Sequence, residues 1–318
     1  MNFNDILSNW NIIIKKAHPE IEINGSPERS EFRIVIQDED SKRYILEQIN
    51  PRDKERRLII AETLNELKEN KLSKGVFYIK NNQGQFITIT AEGIFMLQPY
   101  IKNIPLNRRQ YFFEEWRGSE SAKWLLEFKE KSSNLKTKQE TFNLQEYVKQ
   151  IAKDIENHKS EISEIVNKIV KHLEDDFFKK MNNLPITFNH GDLHPVNFLW
   201  GDKEILGVID WEFCGNKIEN YDLANYIGCL GFENPNNLTR GMTKELVKTL
   251  RKENYMTKES WDTLIDCIIA NRFAWISEWI KKDFDDVLVM ELDYIHLLIK
   301  NKTKIYSAWK KDKELNLV

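Results

Sequence analysis

The segment His190-Gly191-Asp192-Leu193-His194-Pro195-Val196-Asn197, with the Val208-Ile209-Asp210-Trp211-Glu212 that follows it, constrains this chain more than any other part. Between the two motifs stand Phe198-Leu199-Trp200 and Ile205-Leu206-Gly207-Val208-Ile209, short apolar runs around a Gly201-Asp202-Lys203-Glu204 turn. Apolar runs of strand length on either side of such a turn predict a β-hairpin. A hairpin returns Asp210 to the side of Asn197, where two oxygen ligands of one metal ion must lie. Asp192 stands five residues before Asn197. Each of these residues alone is an ordinary turn former. The three at this spacing, with His190 and His194 interleaved, form a far rarer combination.

The trio meets the needs of phosphoryl transfer. One carboxylate orients an acceptor hydroxyl, while an asparagine and a second aspartate offer the hard oxygens that magnesium prefers. His190 reads as a brace behind the loop, because imidazole is a poor magnesium ligand. His194 reads either as a contact to acceptor or phosphate, or as loop packing.

The pattern His-Gly-Asp-x-His-x-x-Asn followed by Ile-Asp-Trp-Glu resembles the aminoglycoside phosphotransferase and choline kinase superfamily, small-molecule relatives of the protein kinases. The match is specific over residues 188–226 and looser, in the same order, over most of the remaining chain. The resemblance implies an α+β, two-lobed protein-kinase-like fold with ATP in the cleft. Residues 1–99 would form a small, mainly antiparallel β first lobe with one helix, and residues 100–318 a larger, mainly helical second lobe. It also implies that Asp192 is the catalytic base and that Asn197 and Asp210 bind Mg2+. Asp222, in Tyr221-Asp222-Leu223-Ala224, matches a segment that braces the catalytic loop.

Along the chain, apolar spacing predicts a helix over 4–17. Strands are expected at 21–23, 32–36 and 43–49, then a helix over 52–70. Further strands are expected at 76–79, 86–89 and 94–100, the last running into the interlobe hinge. Helical patterns fill 107–180 and 240–312. The Gly25-Ser26-Pro27 turn is a candidate phosphate cradle, with Ser26 and Arg29 as contacts. The hinge segment Phe95 to Gln98 is expected to hold adenine through backbone groups, with Met96 and Leu97 as apolar walls or simply as core, two readings that can hold at once.

One position departs from the family pattern. The strand that supplies a phosphate-pairing lysine in the family reads Tyr44-Ile45-Leu46-Glu47-Gln48 here, and a carboxylate cannot neutralise a phosphate. Either another cation serves, with Arg29, Arg33, Arg56 and Arg57 nearest in sequence, or phosphoryl transfer is lost. The family pairs that lysine with a glutamate on the next helix, so an exchanged pair would set Glu47 against Arg56 or Arg57. Trp211 and Glu212 are expected on the floor of the acceptor pocket. Arg272, Trp275, Glu278 and Trp279 share one helix face, as core with an internal ion pair or as a pocket wall. As a wall they would suit an aminated substrate.

Composition limits the partners. A net charge of -3 carries no polyanion-binding signature, so nucleic acid is not expected. With 41% hydrophobic and 31% charged residues the chain has the makings of a packed core. Three cysteines without metal spacing suit a reducing compartment. No signal peptide and no apolar run of membrane-spanning length is read in the sequence, so a cytoplasmic location is expected; the oligomeric state is left open. The expected activity is ATP- and Mg-dependent transfer of the γ-phosphate to a hydroxyl of a small metabolite, such as an amino alcohol or aminated sugar. A nucleotide-binding scaffold without turnover and a nucleotidyl transferase are the alternatives.

Overall fold

A computed structural model describes residues 1–25 and 30–317 of the chain. Helix α1 (Phe3–Leu7) and strands β1 (Ile14–His18), β2 (Phe32–Asp38) and β3 (Arg43–Ile49) come first. Helix α2 (Lys54–Glu69) and strands β4 (Thr88–Thr90) and β5 (Gly93–Pro99) follow. Helices α3 (Glu115–Lys131), α4 (Leu144–His158), α5 (Ser160–Asp175) and α6 (Phe177–Met181) lead to β6 (Ile186–Asn189), β7 (Phe198–Trp200), β8 (Ile205–Val208) and β9 (Gly215–Ile218). Helices α7 (Tyr221–Glu233), α8 (Gly241–Lys252), α9 (Lys258–Asp262), α10 (Leu264–Lys281) and α11 (Asp285–Lys311) complete the chain.

The chain divides into two compact units. The first comprises Met1–Leu106, Glu130–Lys138 and Val196–Phe213. Its antiparallel sheet runs β1-β2-β3-β5-β4. Period-two alternation sorts the side chains between two faces. Ile34, Ile36, Leu46, Phe95 and Leu97 pack with Ile6, Leu7 and Trp10 around α1 on one face. Ile49 and Met96 pack with Ala61 of α2, Phe86 and Ile87 on the other. Each fully buried aliphatic or aromatic side chain contributes roughly 1.5–3 kcal/mol. Arg33 lies directly opposite Glu47 in the β2–β3 register, which puts both side chains on the α2 face.

The N-terminal segment differs from its sequence pattern. The helix stops early: Asn11 adopts a left-handed conformation (φ 56°), and Ile14 opens β1 opposite Asp38. Three consecutive isoleucines, stiff at χ1, favour this extended course over a helix. The strand expected at 21–23 is absent, and Ile21 instead closes a turn onto the carbonyl of His18. The segment expected as a strand at 76–79 forms no ladder among the described residues: Val76 N–H bonds the Val208 carbonyl, Ile79 N–H that of Leu97, and the Ile79 carbonyl accepts the Trp10 indole N–H. Of the next run, Thr88–Thr90 alone enters the ladder. Helix α2 forms where its periodicity places it. The hairpin forms as well: β7 and β8 pair antiparallel with Phe198 opposite Val208.

The second unit comprises Asn107–Lys129, Gln139–Pro195 and Cys214–Val318. Its helical stretch over 107–180 is interrupted where Lys159 (φ -143°, ψ 60°) and Asp176 (φ -136°, ψ -56°) leave the helical region. Asn143 caps α4 by accepting from the Glu146 N–H. Strands β6 and β9 pair antiparallel, Asn189 opposite Gly215. Helix α7 follows, buried along most of its length. Among the described residues, no helix is long and apolar enough to cross a membrane.

Candidate active site

The hairpin closes with a backbone bond from Ile209 N–H to the Asn197 carbonyl at 3.0 Å, so Asn197 and Asp210 flank the same end of one ladder. Asp210 holds a left-handed backbone (φ 70°), a conformation in which aspartate is among the few tolerated side chains. Trp211 folds back and donates its indole N–H to the Val208 carbonyl at 2.9 Å, which pins the turn.

A pocket in the first unit gathers Gly25, Arg33, Glu47, Arg57, Asp210 and Glu212 with the apolar side chains of Ile45, Leu199 and Ile209. Gly25 adopts φ +91°, open to glycine and unfavourable for other residues. A methyl group added there would stand 3.6 Å from Arg33 Nη1 and 3.8 Å from Asp210 Oδ2, filling the space between them. Ser26 and Arg29 lie outside the described residues.

Glu47 and Arg57 are both 3% exposed and form an ion pair at 2.9 Å. The charges stand exchanged relative to the family pattern, acid on the strand and base on the helix. Arg57 also reaches Glu212 Oε1 at 2.5 Å and the Tyr78 hydroxyl at 3.4 Å. Burial works against the charge on Arg57, yet Tyr78, Glu47 and Glu212 outweigh it and raise its pKa. Arg56 adds two bonds from Nε and Nη2 to the Glu212 carbonyl, at 3.2 and 2.7 Å. Strand β3, helix α2 and the segment after Asp210 are thereby tied through one guanidinium.

In the second unit, Asp222 takes backbone N–H bonds from His190 at 2.6 Å and Gly191 at 2.8 Å. Burial raises its pKa to about 6, against the stabilising N–H groups of Gly191 and His190 and the charge of Lys217. His190 is fully buried, and its Nδ1 accepts the Asp192 N–H at 3.3 Å. The Asp192 carboxylate is part-exposed and stands 3.9 Å from His194 Nε2. The Asn225 side chain donates to the Leu193 carbonyl, adding a further tie to the loop.

Several expected contacts fall elsewhere. Met96 and Leu97 are fully buried in the two sheet cores, and the pocket is lined by the next residues, Gln98 to Ile101. The ladder explains this, since β5 is covered on both faces until it ends at Pro99. Glu212, expected on the acceptor floor, is engaged by Arg57. Arg272 is buried and pairs with Glu291 of α11 through Nη2–Oε2 at 2.6 Å, while Glu278 pairs with Lys282 at 3.0 Å. Trp275 and Trp279 stack with ring centroids 5.5 Å apart. Glu291 and Tyr78 were invisible to a reading of local spacing. Only the sheet register and helix packing bring them in.

An antiparallel sheet unit followed by a helical unit that carries a His-Gly-Asp loop is the architecture of the protein-kinase-like phosphotransferases. An aminoglycoside phosphotransferase from Alicyclobacillus acidocaldarius superimposes with a TM-score of 0.63 over 96% of this chain and 94% of that one, at 13% identity. A spectinomycin phosphotransferase solved with ADP and spectinomycin gives a TM-score of 0.60 over 97% and 93%, at 15% identity. The chain belongs to the phosphotransferase enzyme family, whose profile matches residues 27–242. In sequence it is 26% identical over 140 residues to a homoserine kinase of Zymomonas mobilis, covering 40% of this chain and 43% of that protein. The match thus spans less than half the length of that relative.

Proposed function

We propose that this protein transfers the γ-phosphate of ATP to a hydroxyl group of a small aminated metabolite. The observation that carries the reading is the closure of the hairpin at Ile209–Asn197, which sets the oxygen-bearing side chains of Asn197, five residues after Asp192 in the chain, and Asp210 at one end of a ladder. The space kept open by Gly25 between Arg33 and Asp210 suits a phosphate chain. The amide oxygen of Asn197 and the carboxylate of Asp210 are the hard donors that magnesium takes. A magnesium ion held there would neutralise charge on the phosphates. Adenine would lie against Ile45, Leu199 and Ile209, beside the backbone of Gln98 to Ile101.

Asp192 accepts the hydrogen bond of the acceptor hydroxyl and takes its proton as the oxygen attacks the γ-phosphorus. The bond from that phosphorus to the bridging oxygen breaks, and ADP leaves. Asp222 and His190 keep the Asp192 loop in place through backbone contacts and leave the chemistry to Asp192. Catalysis of this kind rests on positioning more than on covalent chemistry. The acceptor class follows the relatives, which act on homoserine and on spectinomycin, both hydroxylated amines. The replacement of the strand lysine by Glu47 favours a second reading, a nucleotide-binding protein without turnover.

The test is a screen of amino alcohols, hydroxylated amino acids and amino sugars with ATP labelled at the α or γ position. Label from the γ position alone should pass to a small molecule. Asp192→Asn should lower turnover by roughly 10²–10⁴ with ATP affinity nearly unchanged. Turnover that survives the substitution would remove Asp192 from the mechanism, and α-label transfer would replace the reaction.

A further inference from the structure

The pocket that holds Asp210 is poorly supplied with uncommitted positive charge. Its lining carries three carboxylates, Glu47, Asp210 and Glu212, against two guanidinium groups, Arg33 and Arg57. Arg57 is bound to two of those carboxylates at once, and buried charges engaged in this way are costly to release. Arg56, next to it, is anchored on the Glu212 carbonyl. Arg33 is placed differently. Among the described residues, its guanidinium meets neutral partners alone, the Asn24 carbonyl at 3.3 Å and the Gly25 carbonyl at 3.4 Å, both long bonds. It stands opposite Glu47 in the sheet, yet Glu47 turns to Arg57 and to the Ser30 hydroxyl.

We infer that Arg33 supplies the positive charge that Glu47 cannot, by binding the phosphate chain of the nucleotide from strand β2. The inference rests on the nucleotide-binding reading given above and adds a cation to it. Two tasks that one lysine performs in the family pattern are divided here. Arg57 ties β3 to α2, and Arg33 faces the ligand. The planar guanidinium suits the second task, since it offers paired donors to phosphate oxygens. Gly25 completes the arrangement: a side chain there would occupy the space where an anion could meet both Arg33 and the Asp210 end of the hairpin.

The test is calorimetric binding of MgATP, MgADP and adenosine to the full chain, unaltered and as Arg33→Gln, Arg33→Lys and Arg29→Gln. Arg33→Gln should weaken MgATP and MgADP roughly ten- to a hundredfold, the scale of a lost charge-assisted hydrogen bond or two. Adenosine, which has no phosphate, should bind within about twofold of the unaltered protein, and Arg33→Lys should recover part of the loss. Unchanged MgATP affinity in Arg33→Gln would overturn the inference. So would an equal loss for adenosine, which signals a collapsed pocket, or a loss confined to Arg29→Gln. Should Arg33→Gln fail to fold by thermal melting, Arg33→Met, which keeps an unbranched stem without the charge, takes its place, and undiminished MgATP affinity in that variant would likewise overturn it. An unaltered protein that binds adenosine and ATP equally leaves no role for any phosphate cation and refutes Arg33 alone. One that binds neither refutes the nucleotide reading itself.

Discussion

Arg57 in the first unit and Arg272 in the second are 3% and 2% exposed, and each is held by glutamate. The surroundings differ. Arg57 joins β3 and α2, neighbours in sequence, to the distant segment beyond Asp210, through Glu47 and Glu212, and it lines a pocket with Arg33 and Asp210. Arg272 joins two consecutive helices, with Glu291 as its carboxylate partner, inside a shell formed by the rings of Phe232, Trp275 and Tyr294 at 4.8, 5.4 and 5.7 Å. Trp279 donates its indole N–H to the same glutamate at 3.2 Å. Burial costs both guanidinium groups solvation, and in both cases neighbouring acids keep the charge favoured. What separates them is the redundancy of partners and the presence of a pocket, so burial of an ion pair alone does not mark a site.

The strongest test of that contrast is Arg272→Leu. Glu291 is fully buried and would be left with the Trp279 indole but without its cation. Breaking a buried pair from one side costs about 3–5 kcal/mol, whereas replacing both members with apolar residues costs far less. Denaturant unfolding of Arg272→Leu should show that loss, and Arg272→Leu with Glu291→Leu should regain most of it. A single variant no less stable than the double would end the claim that this pair is structural.

Asp222 sharpens the comparison from the acidic side, since backbone N–H groups hold it in place of an arginine. Its folded pKa of about 6 lies above the ordinary unfolded value near 3.9. The folded state therefore binds the proton more tightly. The associated stability is complete below about pH 4, declines as pH rises through about 6, and is flat beyond. The shift corresponds to roughly 3 kcal/mol. Unfolding free energies of the unaltered protein and of Asp222→Asn at pH 4.5, 6 and 7.5 isolate it. Their difference should change by most of that amount across the series, and a constant difference would show that Asp222 does not titrate there.

The hairpin, helix α2 and the loop motif were legible because each is encoded locally, in apolar runs, turn residues and fixed spacings. The exchange of charge at Glu47 was legible as well, since strand and following helix are close in sequence. Tertiary pairing was not. Ile14 enters β1 because Asp38 lies opposite it, Met96 is core because α2 covers it, and Arg272 finds Glu291 on the next helix. Nothing in a single-residue period announces those partners. Arg33 lies between these cases. Alternation along β2 puts it on the α2 face, but only the register with Glu47 and the place of Gly25 bring it to the pocket.

The smallest effect expected is that of Glu47→Lys, which restores the residue of the family pattern at that position. Here the new ammonium would stand beside Arg57, in a buried setting where like charges repel. The Ser30 hydroxyl would lose its carboxylate partner. Arg57 keeps Glu212, so the cost stays below that of Arg272→Leu, at about 1–3 kcal/mol. Thermal or denaturant unfolding measures that cost, and ATP titration measures the consequence for the pocket. Affinity should fall or stay level, because a lysine in that position disturbs the guanidinium that fixes α2 and adds no useful charge beyond Arg33. If Glu47→Lys instead binds ATP more tightly with stability intact, the exchanged pair is no adaptation. The pocket would then be one that lost its lysine, and the comparison between Arg57 and Arg272 would reduce to two structural ion pairs.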